Sequence, residues 1–302
     1  WAGMHGNETT GVHIILQLLE LFQKKLLNID GYTLHIIPVI NPDAYVRYTR
    51  RNGMGVDMNR DFRAFQTVES AKLIGWIKMH NPELCFNLHD QRTIFHVNNQ
   101  SAYTSLLVPS ADVTREITPL RRSVMNRLGN ALDVMGDLSG IGRYTDEYYP
   151  TAVGDYLMAN QIANILVESG VARGDLERNN AREFGVALLL AVLQADDSPS
   201  ESYSNLPENQ QGQLEWVFTN VLYAHMRVDI AVKRVVAMNG HQKATIYIVD
   251  DLGDLKSKPR LYEIDGSQMA LAEALIPDRP VTGAFGDLVF DNGQIILGTL
   301  PI

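Results

Sequence analysis

The chain predicts an α/β protein, with a mixed β-sheet carrying helices on both faces over residues 1–205, then a connecting helix and a small β-rich C-terminal domain over 206–302. Three observations carry that reading. Segments with apolar residues at helical spacing alternate with short apolar runs through the first two hundred residues, the pattern of a sheet covered on both sides. Beyond about residue 200 the helical periods give way to short β-like runs between turn residues. The residues suited to chemistry lie at the ends of the apolar runs, where a sheet delivers side chains to a cleft.

Taken in order, Trp1-Ala2-Gly3-Met4 reads as the end of a strand running into His5, so a native strand upstream of it is expected. Residues 9–28 place Val12, Ile15, Leu16, Leu19, Phe22 and Leu26 near 3.6-residue spacing and predict a helix. Residues 32–40 predict a strand closed by the turn Asn41-Pro42-Asp43. A second helix spans 66–80, Asn81-Pro82 breaks it, and Leu84-Cys85-Phe86-Asn87-Leu88 forms a buried strand ending at His89.

Helices follow at 118–135 and 153–164, the latter leading into Ile165-Leu166-Val167 and Glu168. Residues 183–194 form an apolar helix stopped by Asp196-Asp197-Ser198-Pro199-Ser200. Residues 213–226 predict the connecting helix. Strands are expected at 229–238, 244–249, 260–264, 288–290 and 294–297, with turns or loops at 251–258 and 278–285.

Composition limits the function. The 302 residues can bury a large core. A net charge of −9 gives no broad basic field, which argues against duplex nucleic acid as a partner. Cys85 is the one cysteine, so no intrachain disulfide can form. No run of about eighteen apolar residues is present, and no membrane span is expected.

Three fragments carry the chemistry: His5-Gly6-Asn7-Glu8, Asp57-Met58-Asn59-Arg60-Asp61-Phe62 and Asn87-Leu88-His89-Asp90. A catalytic zinc commonly takes two histidines and one carboxylate and leaves a fourth position open. His5 and Glu8 can reach one point from a turn, and His89 arrives there from a strand end. Arg60 adds a planar guanidinium that matches a carboxylate bidentately.

With Asn41-Pro42-Asp43 and Val167-Glu168-Ser169, these fragments resemble, in order, the zinc metallocarboxypeptidases of the carboxypeptidase A type, related to the aspartoacylase/succinylglutamate desuccinylase branch. The resemblance covers about residues 1–195. It implies one Zn2+ per chain on His5, Glu8 and His89, with Glu168 as general base and proton shuttle and Asn59 with Arg60 holding the substrate carboxylate. It also implies an arginine beside the polarised carbonyl, matched by Arg51 or Arg50, with Arg51 preferred. A tyrosine that closes over the substrate is matched first by Tyr148 and then by Tyr144 or Tyr149, on a lid-like loop over 140–150. Gly154 aligns with the pocket floor and supplies no charge to select Lys or Arg.

The expected function is removal of a C-terminal residue from a peptide or cell-wall peptide bearing a free carboxylate. One alternative is a zinc-dependent deacylase or amidase acting on N-acyl amino acids, and another is a binding protein on the same fold without catalysis. The resemblance favours an extracytoplasmic location, and the oligomeric state is open. Arg121, Arg122 and Arg127 read as the solvated face of a helix. His13, His35, His80, His225 and His241 read as surface or locally bonded groups, while His96 reads as a group lining the cleft.

Overall fold

The computed structural model describes residues 1–27, 29, 31–175, 177–223, 225–239, 242–271, 288–291 and 294–297, with the backbone alone for 235–239, 242–246, 271, 288–291 and 294–297. Its elements run α1 (Thr10–Gln23), α2 (Pro42–Arg47), α3 (Val68–His80), β1 (Cys85–Asp90), β2 (Phe95–Val97), β3 (Gln100–Ser101), β4 (Thr104–Leu107), α4 (Pro119–Met135), β5 (Ile141–Arg143), α5 (Val153–Ala159), β6 (Asn164–Ser169) and α6 (Asn179–Gln194). They continue with β7 (Gln210–Gln211), β8 (Leu214–Tyr223), β9 (Met226–Asn239), β10 (Gln242–Gly253), β11 (Arg260–Asp265), β12 (Ala270–Leu271), β13 (Leu288–Asp291) and β14 (Gln294–Leu297). The chain divides into two compact units.

The first unit comprises Trp1–Gln91, Tyr103–Gly170 and Arg178–Asn209. Its sheet has the order β1-β6-β4-β5 and is mixed: β1 and β6 are parallel, β6 and β4 antiparallel, β4 and β5 parallel. Side chains alternate across it. Leu88, Leu106, Ile165 and Val167 enter a core built with Ile14, Ile15 and Leu18 of α1, Val124, Leu128 and Leu132 of α4, and Leu188 and Val192 of α6. Cys85 points the other way, into a second core with Leu73, Ile74 and Ile77 of α3 and Val153 and Leu157 of α5. The expected mixed sheet with helices on both faces is therefore present.

Local chemistry starts these helices. Asn41, Thr67 and Thr118 accept the backbone N–H three residues on at the heads of α2, α3 and α4, and Pro42 and Pro119 occupy the first turn, where no N–H is needed. Several expectations need correction. Helix α1 stops at Gln23, and Lys25 turns to φ +57°. The 153–164 helix ends at Ala159, and Gln161 at φ +59° redirects the chain into β6.

Residues 32–40 form no ladder strand, because Pro38 lacks an N–H. They run extended beside the N-terminal segment, with Ala2 N–H donating to the Ile37 carbonyl (3.1 Å) and Ile40 N–H to the Ala2 carbonyl (3.0 Å). Arg122 is exposed as expected, but Arg121 is 4% exposed. It donates to the carbonyls of Val108 and Arg115 and to Asp146, pinning the 140–150 segment. Arg127 also turns inward, bonding the Val192 carbonyl at 2.9 Å.

The second unit comprises Arg92–Ala102, Val171–Glu177 and Gln210–Ile302. Here the expected connecting helix over 213–226 is strand β8, which pairs antiparallel with β9 and parallel with β11 and β12. Residues 214–218 are buried on both faces, and such a run has no period that separates strand from helix. Trp216 and Phe218 pack with Ile230, Val232 and Val249, while Val217 and Leu214 pack with Ala231 and Leu255. The expected strands lie within β9, β10, β11, β13 and β14, and β10 extends through Gly253 before the turn. His96 is buried on β2, between β3 and β7. The 278–285 loop and His241 lie outside the described residues.

Candidate active site

Trp1 to Met4 run between β1 and the 37–41 segment. The Trp1 amine donates to the Phe86 carbonyl (2.9 Å) and Leu88 N–H to the Trp1 carbonyl (3.0 Å). On the far side Asn41 N–H donates to the Gly3 carbonyl (3.1 Å), and the Asn41 side chain reaches the Met4 carbonyl (3.0 Å). Held from both sides, the chain turns at His5. A Cβ on Gly6 would lie 1.9 Å from the Ala44 carbonyl carbon, and Gly6 N–H donates to the Thr49 carbonyl at 2.8 Å. Only glycine permits that approach.

Glu8 stands between the two histidines. Its Oε1 is 2.7 Å from His5 Nδ1, its Oε2 is 2.7 Å from His89 Nδ1, and Oε2 also accepts Asp90 N–H at 3.2 Å. The imidazole centroids are 4.9 Å apart. One donor atom from each of the three residues falls within 4.8 Å of the others, the one such cluster among the described residues. His5 and His89 are each 2% exposed.

Asp57 stands behind His5. Its Oδ1 lies 3.0 Å from His5 Nε2 and accepts Asn59 N–H, while Oδ2 accepts Arg50 Nε at 2.9 Å. Arg50 Nη1 reaches Glu8 Oε1 at 3.3 Å. Burial raises the proton affinity of Glu8, but the two histidines outweigh it and hold the carboxyl well below its ordinary range. Asp57 is lowered in the same way, its burial overcome by His5 and Arg50. Burial lowers His89, whereas in His5 the bonds to Asp57 and Glu8 overcome burial and raise it.

The set fits Zn2+. Two nitrogens and a carboxylate are its usual donors, and a carboxylate on the outer nitrogen of a ligand histidine fixes the ring orientation, as Asp57 does for His5. His89 Nε2 is buried without a hydrogen-bond partner among the described residues.

Glu168, next to last in β6, is the register partner of His89, with Ser105 of β4 on its other side. Burial, then the carboxylates of Glu8 and Asp90, push its acid well above the usual range against the opposing charges of Arg50 and Arg178. Arg178 bridges the two strand ends, donating to the carbonyls of Ser169 and Gln91 and lying 3.9 Å from Asp90 Oδ2. Asp90 in turn accepts the N–H and hydroxyl of Thr10 at the head of α1.

Arg60 is exposed, with its guanidinium 5.2 Å from the centroid of the Tyr149 ring. Neither flanking aspartate takes it. Asp57 is engaged as above, and Asp61 accepts from Gln66, Thr67 and Ser70. Asn59 Oδ1 accepts Val153 N–H, tying the Asn-Arg turn to the head of α5.

The two upstream arginines diverge. Arg50 enters the site, whereas the preferred Arg51 turns to the Gly55 carbonyl on the exposed side of its own loop. Adjacent residues in an extended loop point opposite ways, and spacing cannot say which points in. Of the tyrosines, Tyr149 stacks on Arg60, Tyr144 donates to Gln91 Oε1 at 3.0 Å, and Tyr148 is half-buried. Gly154 is closed in by Asn164 and Pro109, each 2.8 Å from where its Cβ would be.

Three participants escaped the sequence reading: Asp57, Arg178 and Asp155. Asp57 had a signal, since Asp-x-Asn makes a side-chain-capped turn. Asp155, 5% exposed on α5, accepts Tyr149 N–H, and burial pushes its acid up to about 6.

Residues 1–104 match the zinc carboxypeptidase family model. Carboxypeptidase M of Mus musculus is 30% identical over 111 residues, which are 29% of this chain and 25% of that protein. Carboxypeptidase D of Anas platyrhynchos is 29% identical over 109 residues, 28% of this chain and 8% of that protein. The matching stretch thus spans a quarter or less of these relatives. A metallo-carboxypeptidase structure from Burkholderia cenocepacia superposes with a TM-score of 0.50 at 17% identity over 64% of this chain and 55% of that one, which shows a shared fold. Among the described residues no helix is long and apolar enough to cross a membrane.

Proposed function

We propose that this chain is a zinc-dependent hydrolase that cleaves the last amide bond of a peptide or peptide-like substrate with a free carboxylate, releasing the terminal amino acid. The observation that carries the reading is the placement of Glu168 opposite His89 on paired strands, beside the His5/Glu8/His89 cluster. His5, Glu8 and His89 would hold Zn2+, which supplies a Lewis acid that polarises a carbonyl and acidifies water.

Glu168 is placed to take a proton from the attacking water and return it to the leaving nitrogen, and its raised proton affinity suits both transfers. Arg50, fixed by Asp57 and Glu8, brings a permanent cation to the oxyanion that develops on the carbonyl. Arg60 offers its fork of donors to the terminal carboxylate from an exposed position, and the Tyr149 ring covers one face of the guanidinium.

The test is a panel of blocked dipeptides, peptides with free or amidated ends, wall tetrapeptides and N-acetyl amino acids, run on zinc-quantified protein with Glu168→Gln as control. Terminal-residue release that needs the free carboxylate and vanishes in the variant supports the reading. Cleavage confined to N-acetyl amino acids makes the chain a deacylase. Stoichiometric zinc without turnover leaves a binding protein.

A further inference from the structure

We propose that Asn87 selects the side chain of the released residue, favouring one with an uncharged hydrogen-bonding group of the amide or hydroxyl type. This rests on the hydrolase reading above. The argument starts from strand alternation: Cys85, Asn87 and His89 project from one face of β1. Cys85 sits in the core with Val153 and Leu157 of α5, so Asn87 stands between that core and His89. At a rise of about 3.3 Å per residue it lies roughly 7 Å along the strand from His89.

Asn87 is 2% exposed, and its Oδ1 is buried without a hydrogen-bond partner among the described residues. A buried amide oxygen in that state is costly, and such groups are usually satisfied. Its register partner on β6 is Leu166. Although β6 is flanked by β1 and β4, Leu166 and Glu168 are less fully buried than Ile165 and Val167 on the other face. This face of the sheet is therefore less tightly covered at Leu166, next to Asn87.

Asn164, the other asparagine on this face, does not share the role. Its oxygen is likewise buried without a partner among the described residues, but it sits at the core end of the strand against Gly154, and its amide donates to the Cys85 carbonyl. The strand residues here, Cys85, Asn87, Asn164 and Leu166, carry no charge, so an ammonium would be desolvated without a countercharge from them. A neutral donor exchanges a hydrogen bond to water for one to the Asn87 oxygen, at far smaller desolvation cost than an ammonium. The terminal carboxylate then rests on Arg60, at the turn that Asn59 ties to α5.

The experiment compares peptides ending in Gln, Thr, Leu, Met and Lys on the zinc-loaded wild type, Asn87→Leu and Asn87→Asp, with zinc content and thermal unfolding measured on each. The expected result is a wild type that prefers Gln over Leu at least tenfold in kcat/KM. Asn87→Leu is expected to invert that ratio by 10- to 100-fold at unchanged zinc content and to raise Tm, because an unsatisfied group has been replaced by an isosteric apolar one. Asn87→Asp should move the preference toward Lys.

A Gln/Leu ratio unchanged in both variants overturns the inference while leaving the hydrolase reading intact. Should the wild type cleave no peptide, the hydrolase reading fails, and free Gln and Leu are compared by their stabilisation of the zinc-loaded wild type against heat. Equal stabilisation overturns the role of Asn87, and stronger stabilisation by Gln upholds it as a recognition residue.

Discussion

His89 and Glu168 are directly paired residues on adjacent parallel strands, so their side chains rise from the same face of the sheet at neighbouring positions. A metal-ligand candidate and a proton-transfer candidate are thereby fixed by backbone hydrogen bonds rather than by flexible loops. Arg178 reinforces the arrangement by bonding the carbonyls of Ser169, the last residue of β6, and Gln91, just past β1.

Purified protein is expected to bind one equivalent of zinc, measured by equilibrium dialysis with metal analysis. His89→Ala should lose most of it. Zinc at a hundred times its Kd should add about 2.7 kcal/mol to unfolding stability in the wild type and little in the variant. Equal zinc binding by both proteins would remove His89 from the ligand set.

Arg50→Ala should lower kcat about 100-fold, the usual cost of removing one oxyanion donor. Arg51→Ala should stay within about twofold of wild type, since its guanidinium bonds only its own loop. Steady-state kinetics on one peptide decides between the two arginines. A larger loss in Arg51→Ala would reverse the assignment.

Arg60→Lys keeps the charge but loses the fork. The predicted effect is a rise in KM of about tenfold or more for free-carboxylate peptides with a smaller change in kcat. Discrimination against amidated peptides should narrow by a similar factor. An unchanged free-to-amide ratio would place the anchor elsewhere.

Asp155 gives a pH signature. Its acid ionises near 3.8 in an unfolded chain and at about 6 in the folded one. Between those values the folded chain holds the proton more tightly, so this group's contribution to stability falls as pH rises and stays low above about 6. The full difference is on the order of 3 kcal/mol. Asp155→Asn retains an oxygen for Tyr149 N–H but cannot ionise, and its stability relative to wild type should rise between pH 4 and pH 7 in urea titrations. A parallel pH profile for the two proteins would contradict the prediction.

The grouping of His5, Glu8 and His89 was legible because its clues are local: His5 and Glu8 share a turn, and His89 closes an apolar run ahead of a polar stretch. In the first unit α1, α3, α4, α5 and α6 were legible as helices, whereas α2 was not, because its start at Asn41-Pro42-Asp43 reads as a turn. Residues 213–226 were misread because strand β8 is buried on both faces at its start and so offers no alternation. Arg121 was misread for a different reason, since helical spacing locates its Cα and says nothing of a long side chain folding back to the Val108 carbonyl. The capped turn at Asp57 was a local signal, but its contact with His5 spans 52 residues, and Arg178 joins Gln91 across 87, separations that no local pattern reveals.

Gly6 lies in the turn between His5 and Glu8 and presses on the Ala44 carbonyl. The same contact joins that turn to the segment that carries Arg50, through Gly6 N–H and the Thr49 carbonyl. A single added methyl group would wedge these two pieces of backbone apart, moving Glu8 away from Arg50 without altering any side chain that touches substrate. Sensitivity to substitution should therefore peak at a residue with no chemistry of its own, and a survey of inactive variants that looked only for lost functional groups would pass over it.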